Sequence, residues 1–364
     1  MNHDIDSMAR TLRGDESLCD DSLSLALGEV TLLLRSNSAQ LIARLRDYFS
    51  HVPVGRATPD LEVVAIECPA PETGLDFIDW KREPGKTGRK DSYFDIPGGR
   101  VVRKVRTGMV FLQSAAQRIA AGPCLQYDNQ VINFINAQYM NWLQQQGWQI
   151  CHAAALGCRG KAFGIAGFSG GGKSTLMLHL LDRDAVSYLT NDRLFVRKRA
   201  GVTRARGIPK LPRVNPGTIV HNPRLHGLIP SGQRASLLAM PAAELWEIED
   251  KYDVHVEQVY GPDRIVTEAP LAGFLVLNWQ RDTDAGLALN TVDLAQRHDL
   301  LGAIMKSPGP FYQYSDGSFH QDTAEFDEQA YLEALQGVPV YEATGKVDFA
   351  ALESRFQAEV LELD

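Results

Sequence analysis

Long apolar runs are missing from this chain. The longest, such as 271–277, fall far short of the roughly 18 residues that a membrane-spanning helix needs, so no contact with a membrane is expected. An apolar stretch is also missing at the N-terminus. Residues 1–21 are acidic and polar, which reads as a frayed tail rather than an export signal and makes the cytoplasm the expected compartment. Cysteine is scarce: Cys19, Cys68, Cys124, Cys151 and Cys158 are odd in number and form no CxxC pair. A disulfide framework or a structural zinc site is therefore not expected, and the thiols read as small buried groups. There is no excess of positive charge, since 37 Lys and Arg stand against 45 Asp and Glu for a net charge of −8. Nucleic acid is accordingly not an expected partner. Internal repeats and low-complexity segments are absent as well.

What is present is ordinary globular material, 44% hydrophobic and 23% charged over 364 residues, enough for two domains. Residues 1–27 read as the flexible tail. Residues 28–147 read as an α+β region, with strands at Val30–Leu34 and Leu61–Ile66 around a helix at Gln40–Phe49. A hairpin over Phe94–Leu112 would turn at Gly98-Gly99. The basic run Lys81–Lys90, with Pro84 and Gly85, reads as a solvated loop. A helix from Asp128 to Gln146 places Val131, Phe134, Ile135, Tyr139 and Trp142 at helical spacing. From Trp148 the pattern changes to apolar strands broken by glycines, and 148–280 is taken as a second domain. Residues 281–364 are expected to pack back on it, with a helix near Thr291–Met305, a strand near Val338–Tyr341 and a last helix over Phe349–Val360.

The second domain carries the chemistry. A short buried strand, Lys161–Ala166, runs into Gly167-Phe168-Ser169-Gly170-Gly171-Gly172-Lys173-Ser174-Thr175 and then into the apolar run Leu176–Leu181. This is G-x-x-x-x-G-K-[ST] between a strand and a helix, the setting in which it cradles a nucleoside triphosphate. The glycines let backbone N–H groups approach phosphate oxygens. The helix start adds its positive dipole end. Lys173 supplies a mobile charge for the β and γ phosphates, and Ser174 a hydroxyl for Mg²⁺.

A triphosphate loop alone does not name a reaction, because a second site must hold the metal and the acceptor. The next apolar segment, Ser187–Val196, reads as a strand carrying Asn191 and Asp192, and Asp192 could reach the metal. Upstream, Trp148–Leu156 reads as one strand with His152 inside it. The stretch Arg197–Arg213 is rich in cations. It reads either as a solvated face or as a clamp for phosphates in which Arg206, Lys210 and Arg213 are the working members.

Together these residues resemble the HPr kinase/phosphorylase superfamily, and most of all its HprK-related kinases of undefined substrate (HprK-related kinase B type). His152 stands about 15 residues before the loop, as in that family. The loop matches G-x-S-G-x-G-K-S. Asn191-Asp192-Arg193-Leu194 is similar to its D-D-R-V, Ala205-Arg206-Gly207 to its I-R-G, and Trp246…Lys251-Tyr252-Asp253 to its W…K-x-Y-D. The resemblance covers roughly 148–280. It implies an α/β fold: a P-loop kinase core with a mixed sheet, like the C-terminal domain of HPr kinase, beside the N-terminal α+β region. It further implies ATP and Mg²⁺ as cofactors and transfer of phosphate to a hydroxyl of a protein serine or a small-molecule acceptor. Asp192 would contact Mg²⁺ or the acceptor, His152 would orient its polar neighbour, and Arg206 would neutralise phosphate charge. A homo-oligomer is implied too.

The sequence departs from the family at three places. Asn191 stands where the first acid is expected, so either Asp192 or His152 serves as base or the site is slower or different. Arg204 replaces a further acid. Val254 replaces an arginine, for which Arg264 is the candidate substitute. These departures point away from the reverse phosphorylase reaction and from HPr as substrate. An ATPase coupled to assembly and a non-catalytic nucleotide-sensing module remain alternatives. A GTPase is disfavoured because no N-K-x-D motif is present.

Overall fold

Capping and side-chain alternation give structure to the stretch read as a tail. In the computed structural model, which describes residues 3–82, 88–168, 170–241, 244–245, 248, 250–280 and 282–363, Asp4 and Ser7 form a reciprocal capping box at the start of α1 (Ile5–Arg13). The helix buries Met8, Ala9 and Leu12 on one face. It is followed by β1 (Ser22–Leu27), in which Leu23, Leu25 and Leu27 are buried at every second position. The expectation of a flexible 1–27 is thus corrected for the described residues: the polar residues lie on the outer faces, and the few apolar ones anchor both elements.

The chain forms two units. The first comprises Met1–Gly147 with Ser307–Phe326, the second Trp148–Lys306 with Asp327–Asp364. In the first unit, β2 (Val30–Ser36), β3 (Leu61–Glu67), β4 (Ile78–Asp79), β5 (Asp91–Ile96), β6 (Gly99–Lys104), β7 (Val110–Ser114) and β8 (Arg118–Gly122) join β1 in one mixed sheet of order β1-β2-β3-β8-β7-β6-β5-β4. The helices α2 (Ala39–Tyr48) and α3 (Asp128–Gln145) lie close to the positions read from periodicity. The hairpin expected over 94–112 forms between β5 and β6 with its turn at Pro97-Gly98, and β7 pairs on the other edge of β6, so the stretch holds three strands and not two. The part of the Lys81–Lys90 run at 83–87, with Pro84 and Gly85, lies outside the described residues.

Segment 307–326 does not pack back on the second unit as expected. Its backbone is held by the first: Asn141 donates to the Phe311 carbonyl at 2.7 Å, and Arg100 donates to the carbonyls of Pro310 and His320. Arg100 is fully buried. It is ion-paired with Asp95 and lies over the Tyr93 and Phe319 rings. A buried charge of this kind is tolerable because every side of it is paired.

The second unit is built on strands that are apolar on both faces. In β11 (Lys161–Gly167), Phe163 and Ile165 face one core while Ala162 and Ala166 face the other. In β17 (Glu268–Leu277), Leu275 and Leu277 face the first core, and Phe274 and Val276 the second. Such strands need cover on both sides. Helices α4 (Lys173–Leu180) and Phe349–Glu359 supply it on one face, and His298–Ile304 and Glu328–Leu335 on the other. The helix expected over 291–305 is corrected: it is confined to His298–Ile304 and preceded by a strand, Ala288–Val292. The sheet is mixed. β11 runs parallel to β17, and β17 parallel to β19 (Val340–Thr344). β10 (Ala153–Cys158) pairs antiparallel with β11 and with β12 (Val186–Thr190). No described helix is long and apolar enough to cross a membrane.

Candidate functional site

Two strand breaks at one level make the site. The stretch 148–156, read as a single strand, is two: β9 (Gln149–Cys151) and β10, interrupted at His152. The stretch 187–196 is also two: β12 and β13 (Leu194–Arg199), interrupted at Asn191-Asp192-Arg193. β9 pairs with β13 through Cys151 and Leu194, while β10 pairs with β12 through Ala155 and Thr190. Both chains therefore change partner at the same place, and the residues at the breaks face each other. His152 Nε2 lies 3.2 Å from Asp192 Oδ1.

Asp192 occupies a left-handed backbone conformation, φ 73°. A short polar side chain tolerates that region better than most, at a cost usually met at functional positions. Its other oxygen lies 3.5 Å from Lys306 Nζ. The carboxyl is deep in a cleft yet 47% open to the space within it. Burial works to raise its pKa, but the Lys306 ammonium, the His152 hydrogen bond and Arg193 outweigh this and hold it well below the usual carboxylate range.

Opposite stands the glycine loop. Gly167 ends β11, and α4 starts at Lys173 with Gly172 as its cap. Gly172 has φ 88° and lies so close to Phe349 that a Cβ there would run into the ring, so only glycine fits. Lys173 Nζ donates to the Gly167 carbonyl at 2.8 Å, closing the loop on itself. Ser174 Oγ donates to Asn191 Oδ1 at 2.7 Å. Thr175 Oγ1 lies 3.0 Å from Thr218 Oγ1. Loop, His152 and Asp192 line one cleft of about 970 Å³ at the carboxyl ends of β11 and β17, which also takes in Phe168, Arg213, Lys251 and Trp279. Ligand sites favour this end of parallel strands. Gly170 and Gly171 are in the lining too; Ser169 and Trp246 lie outside the described residues.

The oxygens fit a magnesium ion that arrives with a triphosphate. Ser174 and Asn191 place a hydroxyl and an amide oxygen side by side, and the Asp192 carboxylate follows on the next residue. Mg²⁺ is commonly held by one or two such oxygens, with phosphates and waters supplying the rest. Among the described residues no three His, Cys, Asp or Glu side chains cluster into a closed metal cage.

The cationic candidates separate. Arg213 lines the cleft, held by Asp253 at 3.2 Å and by the Lys251 carbonyl at 3.3 Å, across the ladder of Arg213–Val214 with Tyr252–Asp253. Arg206 is the correction. It is almost buried, paired with Glu268 and stacked on the Trp148 ring at 4.9 Å, and it does not line the cleft. On β14 (Val202–Arg206) its partner strand β17 supplies Glu268 directly opposite, so the ladder register commits this guanidinium to a structural pair. Arg204 binds the same carboxylate.

Arg264 also proves structural. It donates to the carbonyls of Tyr260, Leu181, Arg183 and Val186. Arg264→Leu should lower stability by about 3 kcal/mol, since buried carbonyls lose charged donors. A denaturant midpoint within error of wild type would contradict this.

Lys210 is drawn down to about 7 by burial and by Arg193 and Arg213, against the pull of Asp192. In the unfolded chain it keeps the ordinary lysine value of 10.5. Between those values the unfolded state binds more protons, so the Lys210 contribution to stability becomes more favourable as pH rises from 7 towards 10. The melting-temperature difference between wild type and Lys210→Met should shift in favour of wild type across that range. A pH-independent difference would refute the assignment.

Two residues at the site carried no motif: Lys306, which pairs with the cleft residue Asp192, and Trp279, which lines the cleft and whose Nε1 donates to the Gly171 carbonyl at 2.9 Å. Their roles depend on tertiary placement, and only the setting of Trp279 just beyond an apolar strand could have hinted at one of them.

No protein-family model matches the chain, and no curated protein matches it. Among solved structures, the Hpr(Ser) kinase/phosphatase from Coxiella burnetii is similar over 59% of this chain and 92% of its own, at 12% identity and a TM-score of 0.28. A likeness of that size leaves the reading of the site to its own geometry. The fold class is mixed α/β with mixed sheets.

Proposed function

We propose that the second unit is a P-loop kinase core that transfers the γ-phosphoryl group of ATP to a hydroxyl of a protein or small-molecule acceptor. The observation behind this reading is the contact of Ser174 with Asn191 at 2.7 Å, which sets the Asp192 carboxylate beside the glycine loop. The loop amides and Lys173 bind the phosphates, and Lys173 leaves the Gly167 carbonyl to do so. Mg²⁺, held at Ser174 with Asn191 or Asp192, would neutralise charge on the β and γ phosphates.

Asp192 receives the acceptor hydroxyl as a hydrogen-bond acceptor. With its pKa held low, it is a weak base at neutral pH. That suffices for phosphoryl transfer through a loose transition state, where positioning and charge stabilisation carry most of the catalysis. His152 and Lys306 keep the carboxylate ionised and aimed. Arg213 and Lys251 add positive charge to the same cleft.

The test is incubation of the protein with γ-labelled ATP, Mg²⁺ and host lysate. A labelled protein or metabolite is expected. Free phosphate with no labelled product would assign the cleft to an ATPase, and binding without turnover to nucleotide sensing. Either result would overturn the kinase reading.

A further inference from the structure

The wall of the cleft beside the glycine loop is aromatic, and phosphate chemistry makes no use of it. Trp279 stands two residues beyond the end of β17, and its indole N–H is spent on the Gly171 carbonyl, which fixes the ring against the loop. Phe349 opens the C-terminal helix, whose start is capped by Asp348. Its ring meets Trp279 edge to face at a centroid distance of 4.8 Å and 78°. It also lies nearly parallel to His179 of α4, 17° apart at 6.4 Å. All three line the cleft and none is fully buried. They come from three separate elements, and two of them touch the loop itself, Trp279 through Gly171 and Phe349 through its approach to Gly172.

A core would bury such rings; here they stay partly open at the edge of a polar, cationic cleft. A ligand that suits both halves has a polyanionic end and a flat aromatic end. We propose that Trp279 and Phe349, backed by His179, form a stacking subsite for the base of a nucleoside triphosphate whose phosphates occupy the loop. The subsite rests on the reading of the loop as a triphosphate site. Recognition by ring faces contributes affinity that depends little on which base is present, because every base has a π-face.

The test compares three ligands on the full chain: ATP, ribose 5-triphosphate, which lacks a base, and inorganic tripolyphosphate. Affinities are read by calorimetry and by tryptophan emission. Wild type should bind ATP about 10-fold or more tighter than ribose 5-triphosphate, and only ATP should quench Trp279. Phe349→Leu keeps an apolar side chain against Gly172. It should remove most of the ATP advantage, lowering ATP affinity several-fold more than tripolyphosphate affinity. Equal binding of ATP and ribose 5-triphosphate by wild type, or a parallel loss for ATP and tripolyphosphate in Phe349→Leu, would overturn the base subsite alone. Failure of wild type to bind any of the three would overturn the triphosphate reading and the subsite with it. The wild-type comparison needs no variant and so stands even if Phe349→Leu does not fold.

Discussion

The proposed phosphate transfer from ATP is expected to fall by at least about 100-fold in Lys173→Ala, the loss typical of removing a charge aimed at a transition state. The fold should survive, because Lys173 is no part of the hydrophobic core and its bond to the Gly167 carbonyl lies within the loop. The same variant should lose ATP affinity, since the Lys173 ammonium is the cation proposed to meet the phosphates. Transfer assays against labelled ATP, with circular dichroism to verify folding, decide the matter. A variant that folds and still transfers at the wild-type rate would remove the loop from the mechanism. Lys173→Arg is expected to recover little: a planar guanidinium is bulkier than the ammonium that folds back against the strand end.

Asp192→Asn is the sharper probe, because it keeps size and removes charge. Transfer is expected to drop by a factor of about 100 to 1,000, while ATP binds within a few-fold of wild type. Lys306 and His152 then face an uncharged amide, so the stability that depends on the ionised carboxylate is also lost. In wild type that contribution is fully present above the ordinary carboxyl pKa and disappears as pH falls towards the depressed folded value. Acid unfolding of Asp192→Asn should therefore show a smaller dependence on pH in the acid range. Unaltered transfer would leave Asp192 as a structural partner of Lys306 and nothing more.

Much of the loop's setting was legible because it depends on local chemistry. A strand, a glycine-rich turn and a helix follow one another along the chain, and the motif runs from Gly167 at the end of β11 to Thr175 in the first turn of α4. The helices at 39–48 and 128–145 show in their apolar spacing for the same reason. The neighbouring residues were harder to place. His152 and Asp192 read as members of continuous strands, since an apolar run gives no sign of where two strands exchange partners. Arg206 looked free for phosphate, because the register that sets Glu268 opposite it comes from a strand more than sixty residues away in sequence. Lys306, Trp279 and Phe349 are single residues with no pattern around them, and only tertiary packing brings Trp279 and Phe349 to the cleft and Lys306 to Asp192. Segment 307–326 was misplaced for a similar reason. It has little periodicity, and what holds it is a set of side chains on a distant part of the sequence reaching for its carbonyls.

That segment bears on synthesis. A domain at the N-terminus of a chain ordinarily folds while the remainder is still being made. Here the sheet of the first unit is complete by Gly122, but the guanidinium of Arg100 and the amide of Asn141 wait for carbonyls between Pro310 and His320. Until then a charge destined for the interior has only Asp95 and nearby rings for company. The ribosome must deliver most of the second unit before the first can close, and residues 327–364 of the second unit come only after that, so both units are completed within the last stretch of synthesis and a chain released early would expose both at once.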